Sequence, residues 1–523
     1  MKKKLQTFIA CLSLSIIIIC GPWINSLANY NSSLHTDTLR LFVFTLLVSI
    51  LILSSFFYFL IQKTLYSKNK FFRFFTYFIF CLSFAFFFRS LIKIISFEMK
   101  PWVYIVVTLA TIAVILALIA LSFKNSKKLL KIVTSFFVIF FPLSLLILTK
   151  ISSGFFYISQ NNIAPIENNK PKVIWIIFDE WDQYLTFEKR EKNIHLPQID
   201  DFKEKYFSAS NVYQIANITP LSLSSYTTGL APTGFKIVGH NKIKLDFIDT
   251  PSKLWGSDNS IFSKLALKNV NSSIVGWFLP YDRIFDKYIV KKKYYKNKKM
   301  AFKAIKNTYV DLALFYFLRP INKLSFQKIT PLKNYIIKIV RKKGSQLYKE
   351  IYASTKDVLI DPKINFCFLH FSIPHPPVIF DRNTNKLSTK VSSYSDQLML
   401  VDKTIEDIKN ILIDAKLWDS STLILTSDHW FRPNSWIAFP ESITISEKDK
   451  KMAKKRTQPL VPLLIKMPYQ NQTISYDKPF NAIVLHNLVL DIFDNKISNE
   501  TDLKNWLDNL DEEYKKINLN FSF

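Results

Sequence analysis

Acidic side chains and one imidazole stand where two apolar stretches of this chain end. The first stretch closes with Asp179-Glu180, and the second closes with Asp428-His429. Carboxylate oxygens and an imidazole nitrogen form a mixed ligand set that suits zinc or manganese, with calcium as an alternative. The sequence therefore predicts a divalent metal site held by these four residues. An Asp-Glu pair that simply begins a helix is the alternative interpretation of the first stretch.

A hydroxyl group is predicted at the start of a helix. Thr219 precedes Pro220, which indicates an N-cap followed by proline at the first helical position, and the helix is expected to end before Gly229. The positive end of a helix stabilises an alkoxide nucleophile and binds phosphate or sulfate readily. A purely structural cap is the alternative interpretation.

Two histidines, His370 and His375, lie in a proline-rich segment at the end of a further apolar stretch. Either imidazole can act as a general acid toward a leaving oxygen, bind an anion or complete a second metal site. A rigid turn with an incidental histidine is the alternative. Arg432 and Lys466 are the cations expected to offset charge on a transferring phosphoryl group.

Strands and helices alternate along the part of the chain that carries these residues. Four apolar, β-rich stretches indicate central strands, at residues 173–178, 273–278, 366–371 and 423–426. Helical patterns lie between them, at residues 221–228 and 394–415. The alternation predicts an α/β fold with a mainly parallel central sheet, in which ligands bind at the carboxyl ends of the strands. The Lys-rich residues 291–306 are interpreted as a solvated or lipid-facing insertion.

The order and spacing of these motifs resemble the sulfatase branch of the alkaline phosphatase superfamily across residues 171–495. The shared motifs are Asp179-Glu180, Leu196-Pro-Gln-Ile-Asp200, Thr219 with Ser222 and Thr228-Gly229, Ser427-Asp-His429, and Val461-Pro-Leu-Leu-Ile-Lys466. Thr219 falls on the cysteine that sulfatases convert to formylglycine, a conversion that threonine cannot undergo. The resemblance therefore excludes a true sulfatase and favours the membrane-bound relatives that use a threonine nucleophile, namely lipoteichoic acid synthases and phosphoethanolamine transferases.

The resemblance also implies roles for individual residues. It implies metal ligation by Asp179, Thr219, Asp428 and His429, with His370 or His375 at the substrate. The chain departs from the family pattern at Trp430, where a glycine usually follows the Asp-His pair, and at Leu460, where relatives often have a histidine before Val-Pro. One tightly bound metal ion is therefore expected, and Glu180 remains a further candidate ligand because of its place beside Asp179.

Five charge-free apolar runs occupy the first 150 residues. They cover residues 5–23, 41–62, 74–88, 101–123 and 132–149. A helix that spans a bilayer needs about 20 apolar residues, so a five-helix transmembrane domain is predicted over residues 1–150. The positions of flanking lysines place the N-terminus in the cytoplasm, and an odd number of spans then places later residues outside. A cleaved signal peptide is the alternative for the first run.

The rest of the chain is predicted to divide into three segments. Residues 151–170 form an interfacial linker, residues 171–497 the catalytic domain, and residues 498–523 a C-terminal tail. The expected location is the inner (cytoplasmic) membrane of a bacterium, with the catalytic domain on the periplasmic or extracellular side.

Composition favours a membrane enzyme over a nucleic-acid-binding protein. The formal net charge is +29, but 49% of the residues are hydrophobic and 47 are phenylalanine. Basic residues in such a chain hold it against anionic lipid, at about 1 kcal/mol for each residue near the surface. Cys367 is the only cysteine expected outside the membrane, so neither a disulfide framework nor a thiolate zinc site is predicted. That also separates the chain from phosphoethanolamine transferases of the outer envelope, which typically carry several disulfides.

These features together predict a metal-dependent transferase. It would move a phospho head group, phosphoethanolamine or phosphoglycerol, from a phospholipid donor to an envelope glycan or glycolipid through a phosphothreonine intermediate. A membrane-anchored phosphodiesterase or phosphatase would use the same residues with water as the acceptor. A non-catalytic envelope scaffold is the third alternative, and it would bind no metal.

Overall fold

The computed structural model describes residues 2–28, 36–69, 71–73, 75–77, 79–80, 83, 87, 126–152, 163–239, 242–248, 250–279, 281–285, 287–294, 330–390, 393–432 and 459–515. The chain divides into two compact units. One comprises residues 1–158 and 297–326, and the other comprises residues 159–296 and 327–523.

The first unit contains four described helices, which are α1 (Lys2–Ala28), α2 (Thr36–Tyr66), α3 (Ser126–Ile139) and α4 (Phe141–Ser152). Helix α1 packs against the other three, and a buried hydrogen bond of 2.8 Å joins Ser13 Oγ to Ser144 Oγ. Within the described residues, two helical segments are long and apolar enough to cross a membrane, at Lys3–Cys20 and Val43–Tyr66. These two segments indicate membrane anchoring.

The predicted five-helix bundle is not confirmed. The run at 74–88 is described only in part, and the run at 101–123 lies outside the described residues. The fifth run, which was expected to be one continuous span, consists of α3 and α4 with a break at Phe140. Pro142 follows the break, and proline cannot donate to the preceding turn, so neither half reaches the length of a span.

The second unit is built on an eight-stranded sheet and three small sheets. Its strands are β1 (Lys172–Asp179), β2 (Phe207–Ala209), β3 (Val212–Tyr213), β4 (Gly234–Gly239), β5 (Lys242–Asp246), β6 (Lys253–Trp255), β7 (Ser272–Gly276), β8 (Ile289–Tyr294), β9 (Phe366–Pro374), β10 (Phe380–Asp381), β11 (Lys386–Leu387), β12 (Ser421–Ser427), β13 (Leu463–Lys466), β14 (Ile474–Tyr476) and β15 (Phe480–Asn481). The large sheet has the order β14-β2-β13-β12-β1-β9-β7-β8. Of these eight strands, only β13 runs against the others, so the predicted mainly parallel sheet is confirmed.

Helices cover both faces of this sheet. They are α5 (Pro197–Lys205), α6 (Thr219–Thr228), α7 (Ile261–Ala266), α8 (Tyr281–Ile284), α9 (Thr330–Leu359), α10 (Tyr394–Asp414), α11 (Leu485–Phe493), α12 (Glu500–Asp508) and α13 (Glu512–Lys515). Strand β1 is buried along both faces, which explains why it is a continuous apolar run without polar alternation. On one face Trp175 packs against Tyr226 of α6, and on the other Phe178 stacks on Phe371. Two hydrophobic cores therefore hold the ends of the central strands in place.

Two boundaries differ from the sequence prediction. Strand β8 (Ile289–Tyr294) lies at the edge of the large sheet and includes residues 291–294 of the Lys-rich segment, so the interpretation of 291–306 as an insertion is wrong for this part. Lys291 forms an ion pair with Asp361, which supports an edge strand rich in lysine. Residues 295–306 lie outside the described residues. The segment predicted as a tail contains α12, whose Leu503 and Leu507 are buried in the core.

Candidate active site

Strand β1 delivers Asp179 to the carboxyl edge of the sheet. Its side chain is fully buried, and neither carboxylate oxygen has a hydrogen-bond partner among the described residues. The next residue, Glu180, adopts a left-handed backbone with φ of 64°, which turns the chain sharply at the end of the strand. The Glu180 amide then donates to Asp428 Oδ1 at 3.1 Å, so the ends of β1 and β12 are joined directly.

Strand β12 delivers Asp428 and His429 to the same edge. Asp428 Oδ1 also accepts the His429 amide at 2.8 Å, whereas its Oδ2 has no partner in the described part of the chain. The His429 ring places Nδ1 3.0 Å from the Trp430 carbonyl oxygen, which can only accept, so Nδ1 carries the proton. The lone pair of His429 therefore lies on Nε2, 3.3 Å from Asp428 Oδ2.

Helix α6 places Thr219 against this pair. The helix begins at Thr219 itself, and Ile218 occupies the N-cap position, so the prediction that Thr219 caps the helix is wrong by one residue. Thr219 Oγ1 lies 3.2 Å from His429 Nε2, whose lone pair can accept the hydroxyl proton. Tyr226 of the same helix donates to the Ser427 carbonyl at 2.7 Å and so fixes α6 to the end of β12.

The geometry suits a divalent cation. One donor atom from each of Asp179, Asp428 and His429 lies within 4.8 Å of the others, and all three side chains are buried. Burial raises the pKa of Asp179 well above its ordinary value, and the charges of Asp428 and Glu180 add to the effect. Burial also raises the pKa of Asp428 to about 6. Three unpartnered carboxylate oxygens beside an imidazole lone pair form a donor set that a metal ion would satisfy.

Glu180, the remaining candidate ligand, is directed elsewhere. Its carboxylate is not part of the group that the other three residues form, and its Oε1 lies 3.4 Å from Nη2 of Arg432. The same Arg432 nitrogen lies 3.0 Å from His429 Nε2. Arg432 therefore brings the positive charge that was expected at the site, whereas ligation of a metal by Glu180 remains a prediction.

Lys466 does not reach the site. It ends β13, which is antiparallel to β12, so Lys466 lies beside Leu423 near the beginning of β12. Its Nζ is buried there and donates to carbonyl oxygens, at 2.6 Å for Trp418 and 3.1 Å for Ser421. The prediction that Lys466 offsets phosphoryl charge is therefore wrong, because the sequence does not reveal the direction of its strand.

His370 faces the cluster from the neighbouring strand. It lies within β9, opposite Ile177 of β1, and its Nε2 is 3.7 Å from Asp179 Oδ2. Its Nδ1 forms a hydrogen bond of 2.8 Å with the Tyr281 hydroxyl. Burial raises the pKa of Tyr281 well above its ordinary value, so this hydroxyl keeps its proton and can donate it to Nδ1. With the Tyr281 hydroxyl as the donor, the His370 proton lies on Nε2, toward the carboxylates.

His375 follows β9 and lies beside an indole. Its backbone amide donates to the Asp179 carbonyl at 2.9 Å, and its ring packs edge-on against Trp277 with ring centroids 4.9 Å apart. The His375 Nδ1 bonds to the carbonyl oxygen of Pro376, which places the ring proton on Nδ1. Burial lowers the pKa of both His370 and His375 to about 3, so both rings are neutral in the free protein.

Tyr281 and Trp277 were not assigned a role from the sequence. Both follow β7, whose carboxyl end lies at the same edge of the sheet as those of β1 and β9. The signal was the aromatic segment Gly276-Trp-Phe-Leu-Pro-Tyr281 directly after an apolar strand. The register of β7 beside β9 is a tertiary feature, so the sequence could not pair Tyr281 with His370.

The fold and site define a class of α/β enzyme with a metal-binding cluster at the carboxyl edge of a parallel sheet. The chain belongs to the sulfatase family, because the model of that family matches residues 171–494, and with it to the alkaline phosphatase superfamily. Enzymes of this superfamily use a divalent metal, and Asp179, Asp428 and His429 form a cluster that could hold one.

Several solved structures are similar to this chain at low identity. The structure of Ps i-CgsB in complex with k-i-k-neocarrahexaose has 16% identity, covers 64% of this chain and 74% of its own, and gives a TM-score of 0.39. A protein in the alkaline phosphatase superfamily from Vibrio parahaemolyticus has 11% identity. The match covers 64% of this chain and 69% of that protein, with a TM-score of 0.40. The phosphonate monoester hydrolase SpPMH from Silicibacter pomeroyi has 13% identity. The match covers 62% of this chain and 73% of that protein, with a TM-score of 0.40. No curated protein sequence matches the chain.

Proposed function

We propose that this protein transfers a phospho head group from a phospholipid to an envelope glycan or glycolipid, with Thr219 as the nucleophile. The head group would be phosphoethanolamine or phosphoglycerol. The observation that carries the proposal is the position of Thr219 Oγ1, which lies 3.2 Å from His429 Nε2 in a buried cluster of carboxylates. A threonine alkoxide at this position would attack the phosphorus atom of a phosphodiester bound at the cluster.

The residue at position 219 favours phosphoryl transfer over sulfate ester hydrolysis. Sulfatases act through formylglycine, which threonine cannot form, whereas a threonine hydroxyl can form a stable phosphate ester. Arg432 lies beside His429 and Glu180, where its guanidinium can neutralise the oxygens of a phosphoryl group during transfer.

The apolar helices favour a lipid donor. Segments Lys3–Cys20 and Val43–Tyr66 suit a membrane anchor, and the net charge of +29 suits attachment to anionic lipid. An enzyme held at a bilayer meets phospholipid head groups at high local concentration, so they are the substrates most available to it. The proposed location is the inner membrane of a bacterium, crossed several times, with the catalytic unit on the outer side.

The first half of the proposed reaction breaks the bond between phosphorus and the diacylglycerol oxygen. Thr219 Oγ1 bonds to phosphorus as its proton passes to Asp428, the neighbouring carboxylate whose pKa burial raises to about 6. The departing oxygen takes a proton from His370 Nε2. Burial keeps the free imidazole neutral, and an anionic phosphodiester bound beside it favours the protonated form.

The second half reverses these roles with a new acceptor. A glycan hydroxyl gives its proton to His370 and attacks phosphorus, and the bond to Thr219 breaks as Asp428 returns the proton to the threonine oxygen. A divalent metal bound by Asp179, Asp428 and His429, with Thr219 beside it, would supply positive charge that lowers the pKa of the threonine hydroxyl. Water in place of the glycan hydroxyl would make the same site a phosphodiesterase.

Product analysis of the full-length protein in lipid vesicles tests the proposal. With radiolabelled phospholipid and a crude envelope glycan fraction, we expect diacylglycerol and a labelled glycan in equal amounts. Thr219→Ala should lower both products by at least about 10³-fold, as expected for loss of a nucleophile. Ser225→Ala is the matched control, because its hydroxyl lies on the same helix and donates only to the Leu221 carbonyl.

Two results would contradict the proposal. Release of the free phosphorylated head group with no labelled glycan would identify a hydrolase. Substantial turnover by the Thr219→Ala protein would show that the reaction proceeds without a covalent threonine intermediate.

A further inference from the structure

Arg341 of α9 is a buried cation without a hydrogen-bond partner among the described residues. Its side chain is fully buried, and Nε, Nη1 and Nη2 all lack a hydrogen-bond partner in the described chain. Burial lowers the pKa of Arg341 to about 10, so the guanidinium still carries its charge at neutral pH. Burying an unpaired charge is costly, because the charge loses its hydration without gaining an opposite charge in exchange. The Arg341 guanidinium is therefore expected to bind a negatively charged group.

The nearest opposite charge is already in use. Asp396 is the carboxylate whose field acts on Arg341, but its Oδ1 accepts a hydrogen bond from Arg382 Nε. Its Oδ2 accepts the Ser393 amide at 2.6 Å and the Ser393 hydroxyl at 3.0 Å, which together form the cap of α10. Asp396 cannot turn to Arg341 without losing these contacts, so the missing partner comes from outside this network.

The path of α9 places Arg341 at the carboxyl edge of the sheet. The helix runs antiparallel to β9, with the Tyr348 ring 6.5 Å from that of Phe371 near the end of the strand. One turn earlier, a β-carbon built on Gly344 would lie 2.8 Å from Pro377 Cγ, in the loop beyond β9. Arg341 lies one further turn in the same direction, and helical side chains lean toward the N-terminus. Its guanidinium therefore lies past the strand end, on the edge that carries the metal-binding cluster.

We propose that Arg341 is the receptor for a phosphate-type oxyanion, in a site separate from the reacting phosphoryl position. The planar guanidinium presents paired N–H donors that match two oxygens of a phosphate group, and burial strengthens such a pair. The phosphate can belong to a free anion or to a lipid head group. This inference does not depend on the proposed transfer reaction, because it concerns binding alone.

Thermal unfolding of the full-length protein in detergent, treated with EDTA, tests the site. All proteins carry Arg432→Gln, which removes the cation beside Thr219 and so weakens phosphate binding at the reacting position. With inorganic phosphate as the probe, we expect the unfolding midpoint to rise by about 3 °C. Arg341→Gln in this background should abolish the rise, whereas the matched control Lys342→Gln, an exposed lysine next to it, should preserve the rise.

The stability of Arg341→Gln without phosphate gives a second criterion. An unpaired buried charge contributes nothing favourable to the empty protein, so this variant should unfold at or above the midpoint of its parent. A large loss of stability without phosphate would overturn the proposal, because it would reveal a structural partner for Arg341. An equal phosphate response with and without Arg341 would overturn it as well.

A second probe identifies the source of the phosphate. Short-chain phosphatidic acid carries the same phosphate chemistry on a lipid, and its effect is compared with that of inorganic phosphate at equal concentration. A rise in the unfolding midpoint that depends on Arg341, with either probe, supports the site. The probe that gives the larger rise identifies the source of the phosphate. No response to either probe contradicts the proposal.

Discussion

At the scale of single residues, the hydrogen bond that His429 or His370 makes through Nδ1 decides whether its Nε2 carries a proton. The Trp430 carbonyl holds the proton of His429 on Nδ1, so Nε2 is a lone pair suited to bind a metal. The Tyr281 hydroxyl, as the donor to His370 Nδ1, acts in the opposite sense and places the His370 proton on Nε2. Two histidines of the same type therefore take different roles because their backbone and side-chain partners differ.

The first prediction concerns Tyr281. Tyr281→Phe removes the hydrogen bond to His370 Nδ1, so the ring loses both its orientation and its preferred tautomer. We expect kcat to fall by about tenfold with little change in KM, because proton transfer is affected and lipid binding is not. Tyr348→Phe is the control, since its hydroxyl bonds to Thr404 within the core. An unchanged kcat for Tyr281→Phe would remove His370 as the proton donor.

Residue types in the sequence were sufficient to indicate most of the cluster. Asp179, Thr219, Asp428 and His429 stand at the ends of apolar stretches or at a helix start, and the structure brings them together. The partners that orient them were beyond prediction. Arg432 faces Glu180, and Tyr281 faces His370, only because separate strands are adjacent in the sheet.

At the scale of secondary structure elements, the direction of each strand decides which residues share an edge. The apolar strands and the parallel sheet were predicted from runs of β-branched and aromatic residues, because both faces of these strands are buried. The exception was β13, whose antiparallel direction moves Lys466 to the opposite edge. Strand β8 was missed because its lysines resemble a solvated segment, although an edge strand tolerates them.

The second prediction concerns the close approach of β7 and α8. A β-carbon on Gly276 would lie 2.5 Å from Cε2 of Tyr281 and 3.2 Å from Cβ of His370. Gly276→Ala should therefore displace both rings, lower the free energy of unfolding by about 2 kcal/mol and reduce kcat further than Tyr281→Phe does. Thermal unfolding and steady-state kinetics measure the two effects.

Gly256→Ala is the matched control for this substitution. A β-carbon at Gly256 would meet the Ile284 carbonyl oxygen at an ordinary 3.7 Å, so stability and activity should stay close to those of the unaltered protein. Equal behaviour of the two alanine variants would mean that contact between Tyr281 and Gly276 does not position the histidine.

At the scale of the whole molecule, a strongly basic sequence contains a buried acidic centre. The formal net charge is +29, whereas Asp179, Glu180 and Asp428 place three carboxylates together with Arg432 as a neighbouring cation. Among the described residues, two of the apolar runs form helices long and apolar enough to span a membrane. The break at Phe140 could not be foreseen from hydropathy alone, because the run continues through Pro142.

The third prediction follows from the acidic centre. The pKa values of Asp179 and Asp428 are raised, to about 6 for Asp428, so these two carboxylates bind protons more tightly in the metal-free folded protein than in the unfolded chain. As pH falls from about 7 to about 5 they add stability, whereas His370 and His375, whose pKa values burial lowers to about 3, remove it. A bound Mn²⁺ or Zn²⁺ requires the ionised carboxylates, so the rise in unfolding midpoint that metal produces should shrink over the same range.

Calorimetry of EDTA-treated and metal-loaded protein at several pH values checks this behaviour. Asp428→Asn should remove most of the metal effect at pH 7, because it replaces a charged ligand with a neutral amide. A metal effect of the same size at pH 5 and pH 7 would exclude these carboxylates as the ligands.

The most direct test of the central claim is the mass of the protein after exposure to a phospholipid donor without acceptor. We predict one added phosphoethanolamine or phosphoglycerol group for each chain, mapped to Thr219 by peptide fragmentation and discharged when a glycan acceptor is added. An adduct on another residue, or rapid turnover in which quenched samples carry no adduct, would contradict the assignment of Thr219 as the nucleophile.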